Sequence, residues 1–252
     1  MPMRNHLWIL LFIPALFSSC RKNDGGAKPK SGEPYSRQSP GKSAHDLLSD
    51  SVYTSLTLEV QYMQAYPPDQ AALDQVRTFL QGVVHKPGGI TLTLARIPST
   101  AGSPLSITGI RGIEEQYRTK YTHAHELDVY LLYADADFTD NSVLGVSYLN
   151  TSACLFGKTI AANSGAIGQA NRTTLTATVL EHELGHLLGL VNNGTGMQTP
   201  HEDAAHPAHC TNQDCLMYYA AETTDILGFL IAGNVPSLDQ ACRSDLTANG
   251  GK

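Results

Sequence analysis

The stretch 173–190 constrains this chain most. Leu175, Val179, Leu180, Leu184, Leu187 and Leu188 recur at helical spacing. Asn171 or Thr173 can cap the start, and Gly189 is placed to end the helix. Upstream, residues 52–60 and 90–97 read as strands, largely alternating apolar and polar residues. Between them, Pro67-Pro68-Asp69 opens a helix whose apolar positions are Ala72, Val76, Phe79, Leu80 and Val83. That is a βαβ unit. Residues 113–120 suggest another helix, 127–133 a strong strand, and 143–149 a weaker strand with Gly145 inside it, suited to a sheet edge. Residues 157–168 look loop-like, 191–212 form a long polar loop, and 237–246 could be a short terminal helix. The expected class is α/β (α+β): a twisted mixed sheet packed on helices.

Within the helix, His182 and His186 are four residues apart and project from one face, one turn apart. Two imidazoles at that spacing can share a zinc ion. Glu183 follows the first histidine and can reach a water held by the same metal. Zinc lowers the pKa of such a water, and the carboxylate can take its proton as the water attacks a peptide carbonyl. Glu181, beside the motif, reads as solvated. A formal net charge of −6 with no basic block argues against a nucleic-acid partner.

His182-Glu183-Leu184-Gly185-His186-Leu187-Leu188-Gly189 matches the first eight residues of the metzincin pattern H-E-x-x-H-x-x-G-x-x-H, but Asn192 stands where the third histidine belongs. Downstream, His209-Cys210-Thr211-Asn212-Gln213-Asp214-Cys215-Leu216-Met217 resembles the archaemetzincins, in which a histidine, a cysteine pair and the Met-turn methionine follow in this order. The resemblance implies a metzincin-like zinc metallopeptidase with residues 191–208 inserted before the displaced third ligand. That ligand would be His209, with His201 the next candidate and His206 after it. It also makes Met217 the Met-turn floor and Tyr219 a residue able to stabilise the oxyanion. In archaemetzincins a further C-x-x-C completes a second, structural zinc site; here only Cys242 follows.

The N-terminus reads as an export signal. Arg4 and His6 precede an apolar run, 7–17, too short to span a bilayer. The run ends in Leu16-Phe17-Ser18-Ser19-Cys20, which resembles a bacterial lipobox and implies acylation of Cys20. Residues 1–19 are then a signal peptide, 20–50 a flexible lipid-anchored tether rich in Gly, Pro, Ser and Lys, and 51–252 the catalytic domain. The expected location is the cell envelope, on its periplasmic or outer-surface face. Export places Cys154, Cys210, Cys215 and Cys242 in an oxidising compartment, where two disulfides have three possible connectivities. The favoured set pairs Cys210 with Cys215 and Cys154 with Cys242; a zinc site built from three or four of these cysteines is the alternative.

The expected function is zinc-dependent endopeptidase activity on a peptide or protein substrate, with Glu183 as general base and a monomeric chain. The alternative is a surface-anchored, metal-containing binding protein without turnover.

Overall fold

Strand β3 (Glu126–Ala134) lies at the centre and explains the layering. Its residues alternate between two cores, as the pleat requires. Leu127, Val129, Leu131 and Tyr133 face one, and Tyr130, Leu132 and Ala134 face the other. The computed structural model describes residues 34–100, 104–228, 230 and 234–252. Five strands form one sheet in the order β2-β1-β3-β5-β4. Strands β1 (Ser55–Met63), β2 (Ile90–Ile97), β3 and β5 (Ser152–Phe156) run parallel, and β4 (Gly145–Leu149) closes one edge antiparallel to β5.

The first core lies between the sheet and helices α2 (Gln70–Val83) and α5 (Arg172–Leu187), with Leu246 of α6 (Gln240–Ala248) closing it. The second packs α3 (Ile107–Tyr117) on the opposite face through Ile110 and Ile113. The sequence signals hold where they are strongest. Asp69 caps α2 by accepting from Ala71 N at 2.8 Å, Asn171 caps α5 by accepting from Thr174 N at 2.8 Å, and β2 spans 90–97 as expected. Helix α3 begins six residues before the stretch that suggested it, where Ser106 caps its first turn. The loop-like stretch 157–168 opens with a short helix, α4 (Gly157–Ala162), and β5 gave no alternating pattern because all five of its residues are buried.

One domain boundary shifts. Of the tether expected over 20–50, residues 34–50 belong to the fold. Helix α1 (Ala44–Leu48) buries Ala44, Leu47 and Leu48. Asn150 accepts from Gln38 N and donates to the Tyr35 carbonyl and the Ser43 hydroxyl. Lys86 Nζ donates to the carbonyls of Asp46, Ser49 and Tyr53. Two leucines in a polar stretch are a faint signal, yet they seal the end of the first core. The signal-like run and Cys20 lie outside the described residues.

Candidate metal centre

Beyond its first two residues helix α5 is wholly buried: every residue from Thr174 to Leu187 is inside. One side meets the sheet, and the other is covered by the chain that follows. Gly189, at φ +77°, lets that chain turn back over the helix. The return brings Met217 beneath the motif, where a Cβ on Gly185 would sit 2.3 Å from Met217 Sδ. Met217 is fully buried, and its carbonyl accepts from Cys210 N at 2.8 Å, which fixes the adjacent His209.

The imidazoles of His182, His186 and His209 converge. His182 Nδ1 donates to the Leu216 carbonyl at 2.8 Å and His209 Nδ1 donates to the Pro207 carbonyl at 3.0 Å, which leaves each Nε2 as a free lone pair. The Nε2 atoms of His182 and His186 lie 3.1 Å apart. In a tetrahedral zinc site with bonds of 2.0–2.1 Å, neighbouring nitrogens stand about 3.3 Å apart, so this pair fits the ion, and the donor atom of His209 lies within 4.8 Å of both. Burial pulls the His186 pKa down to about 4, leaving an uncharged ring suited to ligation.

Glu183 is fully buried and neither of its oxygens has a hydrogen-bond partner. Burial first, and the Glu222 carboxylate second, push its pKa well above the ordinary value. A carboxylate left unpartnered in this way is arranged to hold a proton rather than to brace the fold.

Glu222 escaped the sequence reading. It ends the 3-10 turn Tyr219–Glu222, and its Oε1 lies 3.2 Å from His209 Nε2, while Oε2 lies 3.7 Å and 3.6 Å from the Nε2 atoms of His182 and His186. Burial favours its neutral form, but the three imidazoles outweigh that and hold its pKa far below the usual range. No spacing rule singles out a glutamate five residues after Met217. Tyr219 lies flat on His206, ring centroids 3.8 Å apart, so the insertion holds the side chain expected to serve the oxyanion.

A second cluster corrects two expectations. His201, the next candidate for third ligand, is absent from the histidine group. Its Nε2 donates to Asp245 Oδ2 at 2.8 Å, and its Nδ1 lies 3.4 Å from Cys210 Sγ and 3.9 Å from Cys242 Sγ. Cys215 Sγ is 3.6 Å from Cys242 Sγ. The four cysteines among the described residues are free thiols, and Cys154 faces the opposite core, out of reach of Cys242, so neither expected disulfide is present among them. The donor atoms of His201, Cys210, Asp239 and Cys242 all lie within 4.8 Å of one another, and Cys215 adjoins this group through Cys242, so the residue types are those of a structural zinc site. Asp245 supplies the carboxylate that commonly orients a metal-bound histidine. Hydrogen bonds from Cys210 and Cys242 lower the Cys215 thiol to about 4, and the same contacts raise Cys210 and Cys242, so the three sulfurs share a single thiolate. Asp239 caps α6 through Cys242 N and brings Oδ2 to 3.3 Å from Cys210 Sγ.

Glu202 accepts from Ala208 N, and Asp203 is engaged by Ala205 N and His206, so these two carboxylates serve the insertion's own turns. Glu181 is buried rather than solvated, at the wall of a cavity of about 700 Å3 behind α5, and burial lifts its pKa to about 8.

No family model matches the chain, and no curated protein matches it. Among solved structures, archaemetzincin from Methanopyrus kandleri is similar at 15% identity with a TM-score of 0.51, the match covering 78% of this chain and 96% of that one. Metalloproteinase-II from Bacteroides fragilis is 14% identical with a TM-score of 0.44, over 81% of this chain and 55% of that one. The parallel sheet with its antiparallel edge, and the buried helix beneath it, are the fold of the archaemetzincin type.

Proposed function

We propose that the protein is a zinc-dependent endopeptidase in which His182, His186 and His209 hold the catalytic ion and Glu183 is the general base. The observation that carries this reading is the convergence of three imidazole Nε2 atoms beside a buried carboxylate with no partner of its own. The archaemetzincin-like fold supports it. A zinc ion there supplies Lewis acidity, making a water nucleophilic at neutral pH and polarising a carbonyl. Glu183 takes the proton of the attacking water and returns it to the leaving amine. The peptide lies extended along the free edge of β4, pairing by strand addition, and Tyr219 leaves its stack on His206 to donate to the developing oxyanion. His201, Cys210, Cys215 and Cys242 hold a second, structural zinc.

The chain acts as a monomer on the exported face of the cell envelope, anchored through acylated Cys20, a placement supported by the N-terminal sequence alone. The test is hydrolysis of denatured casein by the purified protein and its Glu183→Ala variant, with zinc counted in both. Turnover lost in the variant while zinc stays supports the reading; equal turnover in both refutes it. A second reading, a zinc-holding binding protein without turnover, is favoured by one observation: Glu222 adds a fourth protein donor to the histidines, and four protein ligands describe a closed site.

A further inference from the structure

The position of Glu222 follows from its backbone. Its carbonyl accepts from Leu144 N at 2.8 Å, Thr224 N donates to the Ser142 carbonyl at 2.8 Å, and Val143 bridges to Thr223. The turn that carries Glu222 is thus tied to 142–144, the strap that leads directly into edge strand β4. From there the carboxylate reaches all three histidines. His182 and His186 Nε2 lie 3.1 Å apart, Glu222 Oε1 is 3.2 Å from His209 Nε2, and Glu222 Oε2 is 3.7 and 3.6 Å from His182 and His186, so the two carboxylate oxygens together face the corner of a site whose edges would be about 3.3 Å for Zn–N and Zn–O bonds near 2.0–2.1 Å. Glu222 takes the corner left by the three rings, the position a hydrolytic site keeps for water and substrate.

The two carboxylates of the site differ in freedom. Glu183 is wholly enclosed, whereas the Glu222 side chain keeps 25% of its surface exposed and can leave toward solvent without disturbing the core. Among the described residues β4 pairs only with β5, so its outer edge is open beside the strap.

We propose that Glu222 is a fourth protein ligand in the resting site and a latch that substrate must displace. This rests on the histidine zinc site and deepens it with a means of regulation: the site is closed at rest, and an extended peptide seated on β4 opens it by putting its own carbonyl where the Glu222 carboxylate was. The closed site seen here and a catalytic role are then two states of one centre.

The test compares the zinc-loaded full chain with Glu222→Gln and Glu222→Asp, the second keeping the charge but withdrawing the oxygens. Zinc at the histidines is counted by elemental mass spectrometry across a chelator series, with His186→Ala marking the background from the cysteine cluster. Both variants are expected to lose that zinc at roughly tenfold lower chelator concentration. Acetohydroxamate, a probe of open coordination positions, is expected to bind Glu222→Gln about tenfold more tightly than the parent, because it no longer competes with the carboxylate. Zinc retention unchanged in both variants overturns the proposal. Casein turnover reports separately: if retention and hydroxamate binding shift as expected but no form hydrolyses casein, the fourth ligand stands and the peptidase reading falls. A parent protein with no zinc at the histidines overturns both.

Discussion

Replacing Gly145 with alanine tests how the edge strand and the metal helix depend on each other. Strand β4 lies so close to α5 that a Cβ on Gly145 would sit 2.6 Å from Val179 Cγ1, 2.7 Å from Glu183 Oε1 and 3.0 Å from Glu183 Cγ. Carbon contacts are comfortable at about 3.5–4.0 Å, so the methyl overlaps its neighbours by roughly 1 Å. Val179 is β-branched and stiff within its helix, and cannot turn aside. The strand must retreat, against the Ser147 hydroxyl's hydrogen bond to the Glu183 carbonyl at 2.8 Å, or the Glu183 side chain must rotate. Overpacking of this kind costs about 1–3 kcal/mol, offset by about 0.5–1 kcal/mol because alanine restricts the unfolded chain. A net loss of about 1–2 kcal/mol lowers the melting midpoint by roughly 2–8 °C in a domain of this size. With Glu183 in its proposed role, activity should fall further, since moving a catalytic group by about 1 Å can cost on the order of 100-fold. Calorimetry and casein turnover at matched zinc content measure both. Gly82→Ala, in α2 with nothing within 4 Å of the added methyl, is the control and should melt at or slightly above the parent temperature. A Gly145→Ala protein that melts no lower and turns over at the full rate would refute the reasoning.

Other consequences can be measured. Arg118 is fully buried and gives all its donors to Glu114, Thr151, Ser152 and the carbonyls of Lys120 and Asp128, so Arg118→Met strands the Glu114 carboxylate and should cost about 3–5 kcal/mol by urea denaturation. Asp128 is buried with neither oxygen hydrogen-bonded, and burial raises its pKa to about 6. Between about pH 4 and 6 the native state keeps a proton that the unfolded chain has released, so this group lowers stability as pH rises through that window, with a constant penalty of at most about 3 kcal/mol above it. Asp128→Asn should therefore stabilise the protein at pH 7–8 and make no difference near pH 4; equal stability at both pH values would contradict this. Asp245→Asn removes the carboxylate charge facing His201 Nε2 and leaves one oxygen for two donors, His201 Nε2 and Gln198 N, and should weaken zinc at the cysteine cluster by about 10–100-fold in a chelator competition while leaving casein turnover at saturating zinc intact.

Much of the scaffold was legible because its signals are local. The caps at Asp69 and Asn171, the apolar spacing of α2 and α5 and the i, i+4 histidines need no tertiary knowledge. His209, which lies beside His182 and His186, was singled out through its register with Cys210, Cys215 and Met217. The remainder depends on contacts that cross the chain. Strand β5 is buried on both faces and so lacks alternation, and α1 is held by Lys86 and Asn150 from distant elements. The Cys242 partner could not be read from spacing, because a histidine 41 residues upstream stands where a nearby cysteine was sought. The expected Cys154–Cys242 pairing failed for the same reason: the sheet separates Cys154 from the other three described cysteines.

His209 and Cys210 are neighbours in sequence yet face different clusters, and His201 returns to the second of them. Residues 202–209 therefore form a small ring closed at its base by the His201 and Cys210 side chains and by the bridge between Glu202 and Cys210. Closing a loop costs entropy that grows as about (3/2)RT ln n, and fixing its base in advance removes most of that cost from the ordering of its tip. An insertion of this length would ordinarily leave the third histidine at the end of a free strand of chain. Pinned as a ring of eight residues, it presents that histidine almost as rigidly as the helix presents the other two.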